Sequence, residues 1–138
     1  PASAKSKGYV FKYKGVSVTM NGAAKKLIKK AGKPSKKTVK KSCAYKGKDR
    51  TYTYKDFQLK TYSKTNNGAE YVSEIRFRSN KAVTKEGIRI GRSLKAVTKK
   101  YGKAKARFGV YTFKKGSSKL QIMLNGNKVS AIRYFASK

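Results

Sequence analysis

The segment "VSEIRF", Val72 to Phe77, returns as "VSAIRY" at Val129 to Tyr134. Val, Ser, Ile and Arg match in register, and Phe matches Tyr in kind. A second pair accompanies it in the same order: "KKLIKKAGK", Lys25 to Lys33, aligns with "KAVTKKYGK", Lys95 to Lys103, at an offset of 70. Two matches in one order point to a tandem duplication, and self-similarity of this kind constrains the fold before any single residue does.

Each unit reads as a strand, a helix and three strands. The leading strands are Val16, Val18 and Met20 in the first half, and Ile88 and Ile90 in the second. In the first helix Ala24, Leu27, Ile28 and Ala31 mark one face of a 3.6 period, with Asn21 as N-cap, Gly32 beyond its end and Pro34 after it. The second helix has Leu94, Val97 and Tyr101, with Ser93 as N-cap and Gly102 at its end. "SCAYKG", "RTYTYK", "FQLKTYS" and "EYVSEIRFRS" are strand-like, the first of them a short lead-in, and Ser35 to Ser42 reads as a basic connection into the meander. After the second helix "FGVYTFKKG", "SKLQIMLNG" and "KVSAIRYFA" follow, with Lys115-Gly116-Ser117 and Asn125-Gly126-Asn127 as turns. An extra strand, "GYVFKYKG", comes first. The expectation is an α+β fold: an antiparallel sheet with helices packed on one face, built from a tandem repeat. Residues 1–7 form a flexible N-terminal segment, 8–80 the first unit and 81–138 the second, both in one compact domain.

Charge decides the class of partner. Lys and Arg number 37 against five acids, a net charge of +32 over 138 residues. The acids are Asp49, Asp56, Glu70, Glu74 and Glu86, so none lies between Gly87 and Lys138. Such a chain attracts polyanions: nucleic acid, anionic lipid, teichoic acid or acidic glycan. Thirty of the cations are Lys. Arg is the residue suited to bidentate contacts, so this balance favours diffuse attraction over sequence readout. Sixteen aromatics argue against disorder. Adaptation to anionic surroundings and deliberate supercharging both account for the charge.

The segments "GVSVTMNGAAKKLIKKAGKP" and "GIRIGRSLKAVTKKYGKA" resemble the β-lactamase inhibitory protein fold, and the small lipoprotein of the outer-membrane β-barrel assembly machinery has one unit of similar design. "SCAYKGKDRTYTYKDFQLKTYS" also looks like secreted lipoprotein domains of Gram-positive bacteria. The resemblance implies an extracellular or cell-surface domain without enzymatic activity, lipid-anchored through a removed N-terminal segment. It transfers no binding site. Disulfides are common within the repeats of the inhibitory proteins, whereas Cys43 is single here. Ala2-Ser3-Ala4 has the shape of a signal-peptidase site, with no apolar stretch in front of it.

The chain has no His, which excludes Ser-His-Asp and Cys-His nucleophile arrangements. Glu70 and Glu74, four apart on a strand, share a face about 13 Å apart, and balance neighbouring cations rather than form an acid–base pair. Nothing has metal-ligand spacing, and no cofactor is called for. No apolar run approaches the ~20 residues of a membrane span. Cys43 reads as a buried small hydrophobe, with a reactive thiol beside Lys40, Lys41 and Lys46 as the alternative.

The binding candidates are cations: Lys25, Lys29, Lys30, Lys33, Lys36, Lys37, Lys40 and Lys41 in the first unit, and Lys95, Lys99, Lys100, Lys103, Lys105 and Arg107 in the second. Tyr52 and Tyr54 share one strand face and are either both core or both an aromatic platform. The function these residues lead one to expect is a non-enzymatic, extracellular or cell-envelope domain that binds teichoic acid, acidic glycan or extracellular DNA by diffuse electrostatics. The alternatives are an intracellular nucleic-acid binder, and a protein inhibitor or scaffold using the sheet face on an acidic protein.

Overall fold

In the computed structural model, residues 8–43 and 45–136 are described; the expected flexible segment 1–7 lies outside them. Along the chain run β1 (Val10–Tyr13), β2 (Val16–Thr19), α1 (Lys25–Ala31), β3 (Lys36–Lys41), β4 (Lys48–Thr53), β5 (Phe57–Ser63), β6 (Glu70–Phe77), α2 (Leu94–Tyr101), β7 (Val110–Lys115), β8 (Ser118–Asn125) and β9 (Lys128–Ala136). Strands β1 and β2 make a ribbon. The other seven make one antiparallel sheet in the order β3-β4-β5-β6-β9-β8-β7.

The expected α+β class is therefore corrected. Among the described residues the chain is mostly antiparallel sheet, with two helices of only seven and eight residues. Each helix buries one side chain, Leu27 in α1 and Val97 in α2. The repeat of strand, helix and three strands also fails. Ile88 and Ile90 form no strand, and four strands follow α1 where three follow α2. "SCAYKG" is not a strand, while "KKTVKK" in the expected connection is one.

The physical reason lies in what covers the sheet. A single rung of register partners crosses all seven strands: Lys37, Tyr52, Leu59, Ile75, Tyr134, Leu120 and Phe113. Its centre is covered by the β1–β2 ribbon. The Phe11 ring lies 5.3 Å from Phe57, 5.5 Å from Phe77 and 6.3 Å from Tyr134, on three different strands. Phe11, Phe57, Leu59, Ile75, Leu120, Ile132 and Tyr134 are all fully buried. Burying a large aromatic contributes about 2–3 kcal/mol, so rings on strands, rather than long amphipathic helices, close this core.

The duplicated segments meet at the centre of the sheet. Strands β6 and β9 pair with Ile75 opposite Tyr134 and Arg76 opposite Arg133. Each carries a bulge at the serine of its V-S-x-I-R motif, because Lys60 pairs with Glu74 but Thr61 with Val72, and Met123 pairs with Ala131 but Leu124 with Val129. Ser73 donates to the Lys60 carbonyl at 3.1 Å, and Ser130 to the Met123 carbonyl at 3.2 Å. The helix entries also correspond. Asn21 donates to Val72 and Ala24 to Glu70; Gly91 donates to Val129 and Leu94 to Asn127. Helix α2 is capped by Ser93, which accepts from the Ala96 amide, whereas α1 starts at Ala24 with no side-chain cap and Asn21 lies outside it.

Candidate functional site

All fourteen candidate cations are exposed. The fold sorts them into two groups rather than one patch. Lys25, Lys29 and Lys30 lie on α1, Lys33 follows it, and Lys36, Lys37, Lys40 and Lys41 make up four of the six residues of β3. Lys95, Lys99 and Lys100 lie on α2; Lys103, Lys105 and Arg107 occupy the loop to β7. Strands β3 and β7 are opposite edges of the sheet, roughly 29 Å apart at about 4.8 Å per strand step. On β3, alternation sends Lys36 and Lys40 to one face and Lys37 and Lys41 to the other, so this edge is cationic on both sides. The Lys37 ammonium lies 5.1 Å over the Tyr52 ring.

The acids do little to neutralise these cations. Glu70 accepts from the Tyr52 and Thr61 hydroxyls, both at 2.7 Å. Glu86 accepts from Tyr101 at 2.7 Å, and Asp56 from Ser79 at 2.8 Å. Among the described residues, ion pairs form only at Glu74, which meets Arg76 at 3.3 Å, Arg133 at 3.5 Å and Lys60 at 4.0 Å. None of the fourteen cations takes part.

The bulge at Ser73 overturns the expected relation of Glu70 and Glu74. The extra residue reverses the alternation, so Glu70 serves the core side, where Tyr52 reaches it, and Glu74 stands on the open face among its cations. The two carboxyls share no cleft.

Tyr52 and Tyr54 are core residues, 4% and 6% exposed, and make no platform. Burial first, then the hydrogen bond and charge of Glu70, pushes the Tyr52 hydroxyl far above the usual tyrosine range. Burial also raises Tyr54. Cys43, expected to be buried, is exposed, because its segment is a surface loop rather than a strand.

The open face carries a hollow of about 500 Å³. Lys40, Asp49, Lys60, Tyr62, Glu74 and Arg133 line it, and Tyr45 and Cys43 lie at its wall. Here sits an aromatic row that register creates: Tyr45 stacks on Tyr62 at 5.2 Å, and Tyr62 lies 5.6 Å from Tyr71. The Lys64 ammonium lies 6.0 Å over Tyr45 and 5.6 Å over Tyr71. Tyr62 donates to the Asn21 amide oxygen at 3.0 Å, and burial, then the neighbouring Tyr45 and Tyr71, raises its hydroxyl. Tyr45 and Tyr62 stand among cations in the sequence; Tyr71 joins them only once β5–β6 register is known.

The loop from α2 to β7 holds one further residue that pattern reading misses. Arg107 and Val110 exchange both backbone hydrogen bonds across a two-residue turn. Phe108 and Gly109 fill that turn at φ +54° and +77°. Two positive φ values in succession define the primed turn in which Asn-Gly is usual, so a bulky residue in the first position is strained. Phe108 is 97% exposed.

No group of three or more metal-ligating side chains occurs among the described residues, and no helix is long and apolar enough to cross a membrane. No protein-family model, curated protein or solved structure matches the chain.

Proposed function

We propose that this chain is a non-enzymatic domain of the cell surface or extracellular space that holds anionic polymers by diffuse electrostatics, with teichoic acid, acidic glycan and extracellular DNA as the ligand class. One observation carries the reading. Among the described residues, only Lys60, Arg76 and Arg133 of the many basic side chains are within ion-pair distance of an acid. The exposed cations of α1, β3, α2 and the β7 approach thus keep their full charge for an external partner. Placement outside the cell rests on the likeness to secreted lipoprotein domains.

Retention on heparin and on duplex DNA, measured against salt, tests it. With six or more phosphates bound, affinity falls by roughly 10³ or more between 50 and 200 mM salt. Retention that ignores salt overturns the reading. Gln at Lys36, Lys37, Lys40 and Lys41 lowers the salt slope by up to about 0.9 for each lysine–phosphate pairing removed.

The hollow on the open sheet face supports a second reading, a surface for an acidic protein. Tyr62→Ala would then abolish protein binding and leave retention on heparin intact. An intracellular nucleic-acid binder would stack bases on Tyr45, Tyr62 and Tyr71, since Tyr52 and Tyr54 are buried. Tighter binding of single-stranded DNA than of heparin, reversed by Tyr62→Ala, would favour it.

A further inference from the structure

We propose that the turn bearing Phe108 is an anchor for anionic lipid bilayers. Such anchoring goes beyond polymer binding, because it rests on an apolar side chain rather than on the number of cations. Phe108 is 97% exposed, the extreme among the exposed large hydrophobics; the next is Val39 at 49%. Its backbone sits at φ +54°, where Gly or Asn would fold more easily. A bulky residue in a strained turn, with its ring in water, does nothing for the core, and strain of this kind gathers at functional positions.

The surroundings indicate the partner. Two residues on, Val110 faces Met123 across the β7–β8 ladder, and Met123 faces Ala131 on β9. Met123 is 46% exposed, and Val110 and Ala131 are half-buried. Beyond the turn, half-exposed apolar residues thus lie side by side across β7, β8 and β9. Lys103, Lys105 and Arg107 precede the ring directly, Lys99 and Lys100 end the helix before it, and no acid follows Glu86. An apolar tip preceded in the chain by long exposed cationic side chains suits the boundary between acyl chains and anionic headgroups, where rings insert and ammonium groups stay with phosphate.

Sedimentation with vesicles of phosphatidylcholine containing about a third phosphatidylglycerol measures the binding. Phe108→Ala should bind about tenfold more weakly, the scale expected for moving one aromatic ring out of an apolar phase, with its salt of elution from heparin unchanged. The chain has no Trp, so Phe108→Trp introduces a single reporter. Its emission should shift to the blue on these vesicles, be quenched by brominated acyl chains, and stay unchanged with heparin. Equal vesicle binding by Phe108→Ala and wild type, or Trp emission indifferent to vesicles, overturns the proposal. So does a Phe108→Ala variant that loses heparin or single-stranded DNA in the same proportion, since the ring would then serve polymers. Heparin binding that ignores salt, alongside an intact vesicle response, would overturn only the polymer reading.

Discussion

Tyr52 donates its hydroxyl to Glu70 at 2.7 Å, and so one of five acids is turned toward the core instead of toward a lysine. Tyr54, two residues on and equally buried, has a hydroxyl without a partner. The same substitution should therefore act oppositely at the two sites. Tyr52→Phe leaves a part-buried carboxylate short of one donor and costs about 1–3 kcal/mol, whereas Tyr54→Phe removes an unsatisfied polar atom and is neutral or stabilising. Urea unfolding of both variants checks this; equal losses would show that Glu70 gains nothing from Tyr52.

Glu74→Gln should destabilise by about 1–3 kcal/mol, because it leaves Lys60, Arg76 and Arg133 together without their anion. The loss should grow as salt is lowered, since the variant adds to a net charge of +32. Unfolding midpoints at low and high salt read both effects. A midpoint that does not move would mean the carboxylate is dispensable.

Replacing Phe108 by Gly should raise stability. The turn keeps its shape, the positive φ ceases to be strained, and the core packing is untouched, so a gain of about 1 kcal/mol is expected. Calorimetry against wild type measures it. A decrease would mean the ring packs in solution.

High pH singles out the buried tyrosines. Burial pushes Tyr101 far above its ordinary value, as it does Tyr134, where Glu86 adds to the effect, and Tyr52. With the folded value above the unfolded value of about 10, their contribution is fully present below that pH. It is lost as pH climbs from there toward the folded values. The unfolding midpoint sums over every titrating group and does not isolate these three tyrosines. Ultraviolet titration resolves them: three of the ten tyrosines should ionise only in a cooperative step that coincides with loss of circular dichroism. Ten tyrosines ionising together near pH 10 with the fold intact would contradict this.

Features carried by local chemistry were legible in the sequence. Ser93 caps α2, Gly32 and Gly102 end the helices with positive φ, and the turns at Lys115–Ser118 and Asn125–Lys128 fall where glycine marked them. What escaped was register. The bulge at Ser73 adds one residue and moves Glu74 to the other face, a change that no periodicity of two records. Tyr71 meets Tyr62 for the same reason. Strand β3 escaped differently. All six of its residues are exposed, so no apolar alternation marks "KKTVKK"; hydrogen bonds to β4 hold it in place. The cations themselves were easy to find, and their division between two edges was not, because strand order depends on the β6–β9 seam.

The lysines of β3 stand along an outer strand whose far side has no neighbouring strand among the described residues. Ammonium groups there keep one molecule from adding to the sheet of another. A bound anionic polymer would cover these same groups. Near charge balance the ligand thus removes the barrier to self-association, and excess polymer restores it with the opposite sign. Clouding that peaks at equal charge and clears on either side is the colloidal signature of this one strand's double duty.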